Sequence, residues 1–186
     1  MKNVVHIFGA SGSGTTTLAR KISAELGYKM MDTDDYFWLP TAEKYTEKRP
    51  VDERIALMTR DIDSAENVVI SGSLTDWGDV LIPMFTLAVR IEMDQTLRIS
   101  RLMQREKERY GARIEPDGDR YPAYLAFVEW AKSYDEGGMH MRSRMKHDAW
   151  QQLLACEVLH LDGADPLEEK FARVKQALER QEKSLK

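Results

Sequence analysis

The run Gly9-Ala10-Ser11-Gly12-Ser13-Gly14, followed by Thr15-Thr16-Thr17, has the residue types and spacing to hold phosphate. Its glycines let successive backbone N–H groups turn inward as an anion nest, and a helix opening at Thr15 adds its own N-terminal amides. The spacing G-x-x-x-x-G-K-[ST] is met at Gly9, Gly14 and Thr16, but the lysine position holds Thr15. The plain alternative is a glycine–serine turn between a strand and a helix. Three carboxylates, Asp32, Asp34 and Asp35, stand just beyond the second apolar run, ahead of Tyr36, Phe37 and Trp38. They either act on a ligand or cap a helix within a solvated acidic turn. Arg98, Arg101, Arg105 and Arg109 share one helical face, a spacing that ordinarily gives a solvated surface balanced by Glu106 and Glu108.

These groups need elements to position them. Short β-branched and apolar runs alternate with segments of helical period, and residues 4–8, 28–31, 68–71, 87–91 and 157–161 read as strands. Residues 15–26 read as a helix with Leu18, Ile22 and Leu26 on its buried face and Gly27 as its stop. Further helices are expected over 52–65, 94–109, 123–133 and 139–154. A last one opens with Asp165 as cap, Pro166 at its first position and Glu168 three residues after the cap. Alternating strands and helices imply an α/β fold, a doubly wound five-stranded parallel sheet with helices on both faces. Ligands in such sheets sit beyond the carboxyl ends of the strands, so the chemistry is expected just after Phe8, Met31, Ser71, Ile91 and Leu161.

Composition narrows the classes. A chain of 186 residues with 42% hydrophobic residues suits a single domain, 1–186, with a real core. Its net charge of −4 argues against nucleic acid or a membrane surface as partner, because both demand a dominant positive field. One cysteine, Cys156, excludes an internal disulfide framework and points to a reducing, cytoplasmic setting. The first apolar run is too short for an export signal and fits a strand. His140 and His147 lack a metal-ligand pattern around them.

The glycine loop in its strand-to-helix context resembles the P-loop kinases of the adenylate kinase and shikimate kinase type, across essentially the whole chain. The resemblance implies strand order 2-3-1-4-5, ATP as co-substrate with Mg²⁺, and phosphoryl transfer to a small-molecule acceptor. The aromatic residues and arginines slightly favour a nucleotide or nucleoside over a sugar-like acid or an antibiotic hydroxyl. The resemblance places Gly9, Ser11, Gly12, Ser13, Gly14, Thr15, Thr16 and Thr17 at the phosphates and gives Mg²⁺ to Thr16 and Asp32. By the same resemblance Asp34 is expected to accept the proton of the acceptor hydroxyl, a task in which positioning matters more than basicity. Arg101 and Arg105 match the R-x-x-x-R run that meets the nucleotide, and residues 110–145 match a lid with Gly137-Gly138 as a hinge. Thr15 departs from the pattern because it cannot carry the loop lysine's charge. Arg142, Arg144 and Lys146 are the candidate substitutes, and Arg142 and Arg144 are expected to act on the transferred group. The Ser71-Gly72-Ser73 turn lacks the acidic residue that nucleotide kinases have there, a second departure. The competing reading is a nucleotide-binding sensor or scaffold that has lost turnover.

Charge is unevenly distributed along the chain. Residues 28–82 carry 6 basic and 12 acidic groups, while residues 90–146 carry 12 basic and 10 acidic and hold 9 of the 15 arginines. An acidic acceptor side facing an arginine-rich cover suits a polyanionic small ligand.

Overall fold

The computed structural model describes residues 2–184. Its strands are β1 (Val4–Gly9), β2 (Lys29–Asp32), β3 (Val68–Ser71), β4 (Leu87–Glu92) and β5 (Glu157–Asp162). They form one all-parallel sheet in the order β2-β3-β1-β4-β5, as expected. The helices are α1 (Thr15–Leu26), α2 (Thr33–Phe37), α3 (Val51–Ser64), α4 (Gln95–Tyr110), α5 (Tyr121–Lys132), α6 (Arg144–Gln151) and α7 (Leu167–Ser184). Among the described residues, no helix is long and apolar enough to cross a membrane.

Every residue of β1 and β3 is buried, so both faces of the sheet need cover. Alternate residues supply two cores. Val5, Ile7, Val69 and Val89 pack under Leu18 and Ile22 of α1 and Val174 and Leu178 of α7. Phe8, Val68 and Ile70 point the other way, onto Met58 and Ile62 of α3 and Trp150 of α6. A third cluster joins Ile99 and Leu102 of α4 to Val128 and Ala131 of α5, which hangs α5 over the carboxyl ends of the strands. Because the chain runs outward from β1 toward β2 and later back past β1 to β4, a crevice opens beyond β1 and β3.

The sheet and most helices lie where the sequence put them, and the exceptions have local causes. The helix expected over 139–154 is confined to Arg144–Gln151. Ser143 stops it from starting earlier, since its hydroxyl accepts from the Lys146 N–H at 3.1 Å and donates to the Gly138 carbonyl at 2.9 Å. His140 therefore does not share a helix with His147. The acidic turn after β2 is itself helical, α2, capped by the Asp32 side chain accepting from the Asp34 N–H at 3.1 Å. Asp76 caps no helix: it sits at φ 74°, a left-handed conformation unusual for aspartate. Glu168 reaches across to Lys21 at 2.9 Å.

Arg98 fixes the root of α5. Fully buried, it donates to the Ala131 carbonyl at 2.7 Å and to Asp135 at 2.5 Å, and its guanidinium lies 5.3 Å from the centre of the Tyr134 ring. Removing one partner of such a pair strands the other, so Arg98→Ala is expected to lower unfolding free energy by about 3 kcal/mol. Urea denaturation followed by circular dichroism measures this; an unchanged midpoint would show that the pair contributes nothing.

Candidate active site

A cleft of about 560 Å³ opens at the carboxyl ends of β1, β2 and β3. Gly9, Ser11, Gly12, Thr15 and Thr16 form its floor, while Ser13 and Gly14 close the loop without lining the cleft. Gly12 has φ +86°, and a Cβ there would stand 2.3 Å from the Arg98 carbonyl oxygen, so only glycine lets the loop lie against α4. Gly14 precedes α1 with no side-chain cap, which leaves the first helical amides to meet an anion. Thr17, one of the residues expected at the phosphates, is exposed and faces away from the cleft.

Opposite the loop, the end of β2 presents oxygens. Thr16 Oγ1 donates to Asp32 Oδ2 at 3.2 Å, while Asp32 Oδ1 caps α2. The two residues expected at a metal are thus neighbours, and Asp32 is held from both sides. Asp34 is exposed and lines the cleft. Burial raises its pKa first and the Asp32 charge second, while Arg142 and Arg105 oppose both. Of the aromatic residues after it, Phe37 and Trp38 line the cleft, whereas the Tyr36 hydroxyl turns outward and donates to Asp61 at 2.8 Å.

The expected cations divide sharply. Arg142 extends over the loop, donates from Nη2 to Ser11 Oγ and lies 4.7 Å from the centre of the Trp130 ring. Among the described residues its Nε, sealed from water, has no hydrogen-bond partner, and its guanidinium has no ion pair. Burial lowers its pKa, with Asp34 the largest opposing influence. Arg144, expected beside it, points out of the cleft and pairs with Asp135 at 2.7 Å and Glu92 at 4.0 Å. The Ser143 cap explains the split: Arg142 lies before the helix and reaches inward, while Arg144 begins it on the outer side. Lys146 is committed to Asp76, with 2.7 Å to each carboxylate oxygen.

The arginine stripe of α4 separates likewise. Arg98 is structural, Arg101 donates to the Gly163 carbonyl at 3.0 Å outside the cleft, and Arg105 and Arg109 line it beside buried Glu106. Arg101 nevertheless borders the phosphate loop, since a Cβ on Gly163 would stand 2.9 Å from the Ser13 carbonyl oxygen. Sequence reasoning missed the upper wall. Tyr124, Phe127 and Trp130 of α5 face the cleft, and their i, i+3, i+6 spacing was the available signal. Tyr45 and Arg120 also line it. Arg120 pairs with Glu43 and lies 4.2 Å from the centre of the Tyr110 ring, tying the 40–50 loop to the cover.

The inner wall is polar and hydrogen-bonded. Gly72, at φ +112°, donates to the Ile7 carbonyl at 2.9 Å and turns the chain so that Ser73 and Thr75 enter the cleft. Ser73 Oγ lies 3.1 Å from His147 Nε2, and His147 Nδ1 lies 2.7 Å from the Tyr134 hydroxyl. His6, deeper, meets the Gly72 carbonyl at 2.8 Å between the rings of Phe8, Phe85 and Trp150.

Comparison with known proteins agrees with this geometry. The AAA domain family matches residues 5–121. The uncharacterized protein YqaC of Bacillus subtilis (strain 168) is 40% identical over 94% of this chain and 96% of its own. A cytidylate kinase from Archaeoglobus fulgidus is 32% identical over 55% of this chain and 61% of its own, so the chain matches about three fifths of that relative. Among solved structures, a shikimate kinase from Bacteroides thetaiotaomicron superposes with a TM-score of 0.57 at 14% identity, covering 95% of this chain and 98% of its own. A gluconokinase from Sinorhizobium meliloti 1021 gives 0.54 at 16%, covering 96% and 97%. These structures share the fold, that of a kinase-like P-loop protein.

The two buried histidines make stability depend on acid. Burial holds His6 at about 4 and, with Arg142 and Arg90 nearby, His147 at about 3, against an ordinary 6.5. Above pH 6.5 both are neutral folded or unfolded and the effect is nil. Below 6.5 the unfolded chain takes up protons that the folded one refuses, and the loss grows until pH reaches the folded values. It amounts to about 2–3 kcal/mol per histidine by pH 4.5. Thermal melts from pH 7 to pH 4.5 should show this fall, and His147→Gln should show a smaller one; equal slopes would place the acid sensitivity elsewhere.

Proposed function

The chain belongs to the AAA domain family, and on that premise we propose that it is an ATP-dependent kinase transferring phosphate to a small acceptor, a nucleotide or nucleoside. One observation carries the reading. Arg142 brings a half-buried guanidinium, with no ion pair among the described residues, over a phosphate loop whose lysine position holds Thr15. A cation so placed has strong need of an anion, and the transferring phosphoryl group is one.

The remaining residues have separable tasks. The amides of Gly12 to Thr16 cradle phosphate oxygens. Thr16 and Asp32 offer the hard oxygens that Mg²⁺ takes, their close pairing fits it, and the ion would neutralise charge on the phosphates. Asp34 orients the acceptor hydroxyl and takes its proton as the new P–O bond forms and the bond from the γ-phosphorus to the bridging oxygen breaks, releasing ADP; its raised pKa suits that transfer. Arg142 donates to the oxygens of the group in transit. The aromatic face of α5 closes above and keeps water out, with residues 110–145 as the lid and Gly137-Gly138 as its hinge. Trp38, Tyr45 and Trp77 provide flat apolar surface and Arg105 and Arg109 positive charge, a combination that fits a planar anionic acceptor. Similarity to a cytidylate kinase supports the same class. A cytoplasmic location belongs to this reading, where ATP is abundant and Cys156 stays reduced.

Thr15 favours one other reading, a sensor that binds nucleotide without turning it over. ATP consumption against a panel of nucleotides, nucleosides and small alcohols separates the two. Turnover on an acceptor is expected, falling about 10²–10³-fold in Arg142→Ala and about 10²–10⁴-fold in Asp34→Asn. Thr15→Lys placed in the Arg142→Ala background should restore part of the loss. Tight ATP binding with no turnover on any acceptor would establish the sensor, and no ATP binding at millimolar concentration would overturn both readings.

A further inference from the structure

Four side chains form a hydrogen-bonded line from the root of the cover into the cleft. Tyr134 Oη meets His147 Nδ1 at 2.7 Å, His147 Nε2 meets Ser73 Oγ at 3.1 Å, and Ser73 Oγ meets Thr75 Oγ1 at 3.0 Å. Tyr134 and His147 are buried, while Ser73 and Thr75 line the cleft. The geometry points to a polarised relay in which Tyr134 and His147 are positioning residues that aim one hydroxyl proton of the Ser73–Thr75 pair at a lone-pair group on the acceptor. The inference rests on the cleft being the acceptor site proposed above.

The direction follows from counting protons. Burial and the charges of Arg142 and Arg90 keep His147 neutral, so its ring has one N–H and one bare nitrogen. A phenol donates more readily than it accepts, which assigns the bare nitrogen to Nδ1 and the proton to Nε2. Ser73 then accepts from His147. The two hydroxyls hold two protons, and one of these joins Ser73 to Thr75. One remains, and the cleft is the side left open to it. A carbonyl oxygen or an unprotonated ring nitrogen satisfies that donor; an N–H in the same place would face it proton to proton. The neighbouring Lys146–Asp76 pair secures the same turn to the same helix, so the hydroxyls are fixed in place as well as in direction.

NMR of the imidazole nitrogens in the full chain reads the relay without any assay of activity. His147 should be the Nε2–H tautomer at neutral pH, and Tyr134→Phe, which keeps the ring, should let the other tautomer appear. Finding Nδ1–H in the unmodified protein overturns the relay whatever the protein's reaction. Calorimetric binding of CMP, used as the acceptor probe, then tests recognition. Ser73→Ala and Tyr134→Phe should each weaken CMP by roughly 3- to 10-fold, the worth of one neutral hydrogen bond, with ATP affinity unchanged. Unchanged CMP affinity, or equal loss of CMP and ATP, rejects the recognition role. If CMP does not bind even at millimolar concentration, the proposed acceptor class and the recognition role fall together, while the tautomer still decides the relay.

Discussion

Covering a guanidinium from water is unfavourable by several kcal/mol unless an anion or a full set of acceptors meets it. Arg142 satisfies only part of that demand: Ser11 takes one donor, Trp130 covers the flat face, and Nε has no partner among the described residues. Much of the surrounding architecture can be understood as holding this unmet cation in place. Arg98 ties Ala131 and Asp135 together beneath it, and Ser143 binds back to Gly138 just after it. These bonds tie the segment between α5 and α6 down on either side of Gly137-Gly138, with Arg142 lying over the loop.

The phosphate loop is constrained from several directions as well. Gly12 rests on the backbone of α4, Gly163 comes up against Ser13 from the turn after β5, and Thr16 touches Asp32 at the end of β2. Four strand ends thus converge on one loop, as expected where a parallel sheet reverses its winding. The site is built mostly from backbone direction and helix placement, and side-chain chemistry is added at its edges by Asp34, Arg142 and the Ser73 turn.

Much of this was legible in the sequence. Strand order followed from the resemblance, and the strands themselves from short β-branched runs that no other element could use. The phosphate loop followed from glycine spacing, and Asp32 and Asp34 from their position at a strand end. What stayed hidden was the direction of side chains around irregular turns. Arg142 and Arg144 are two residues apart and look equivalent in a string of letters, yet the Ser143 cap sends them to opposite sides. The stripe from Arg98 to Arg109 was correctly placed on one helix, but its four members meet three different surroundings as that helix passes from core to cleft. The Tyr134–His147–Ser73 line joins residues 61 and 74 positions away from Ser73, a separation that no local pattern records.

Residues 142–147 reach both halves of the cleft at once, through Arg142 to Ser11 on one side and through His147 and Lys146 to Ser73 and Asp76 on the other. Two ligands that press on one short rigid segment do not bind independently. Whatever factor the first contributes to the affinity of the second, the second must return to the first, because the free energy of the doubly bound state does not depend on the order of arrival. The six residues from Arg142 to His147 are in that sense a thermodynamic bridge, and the coupling is the same whichever side is filled first.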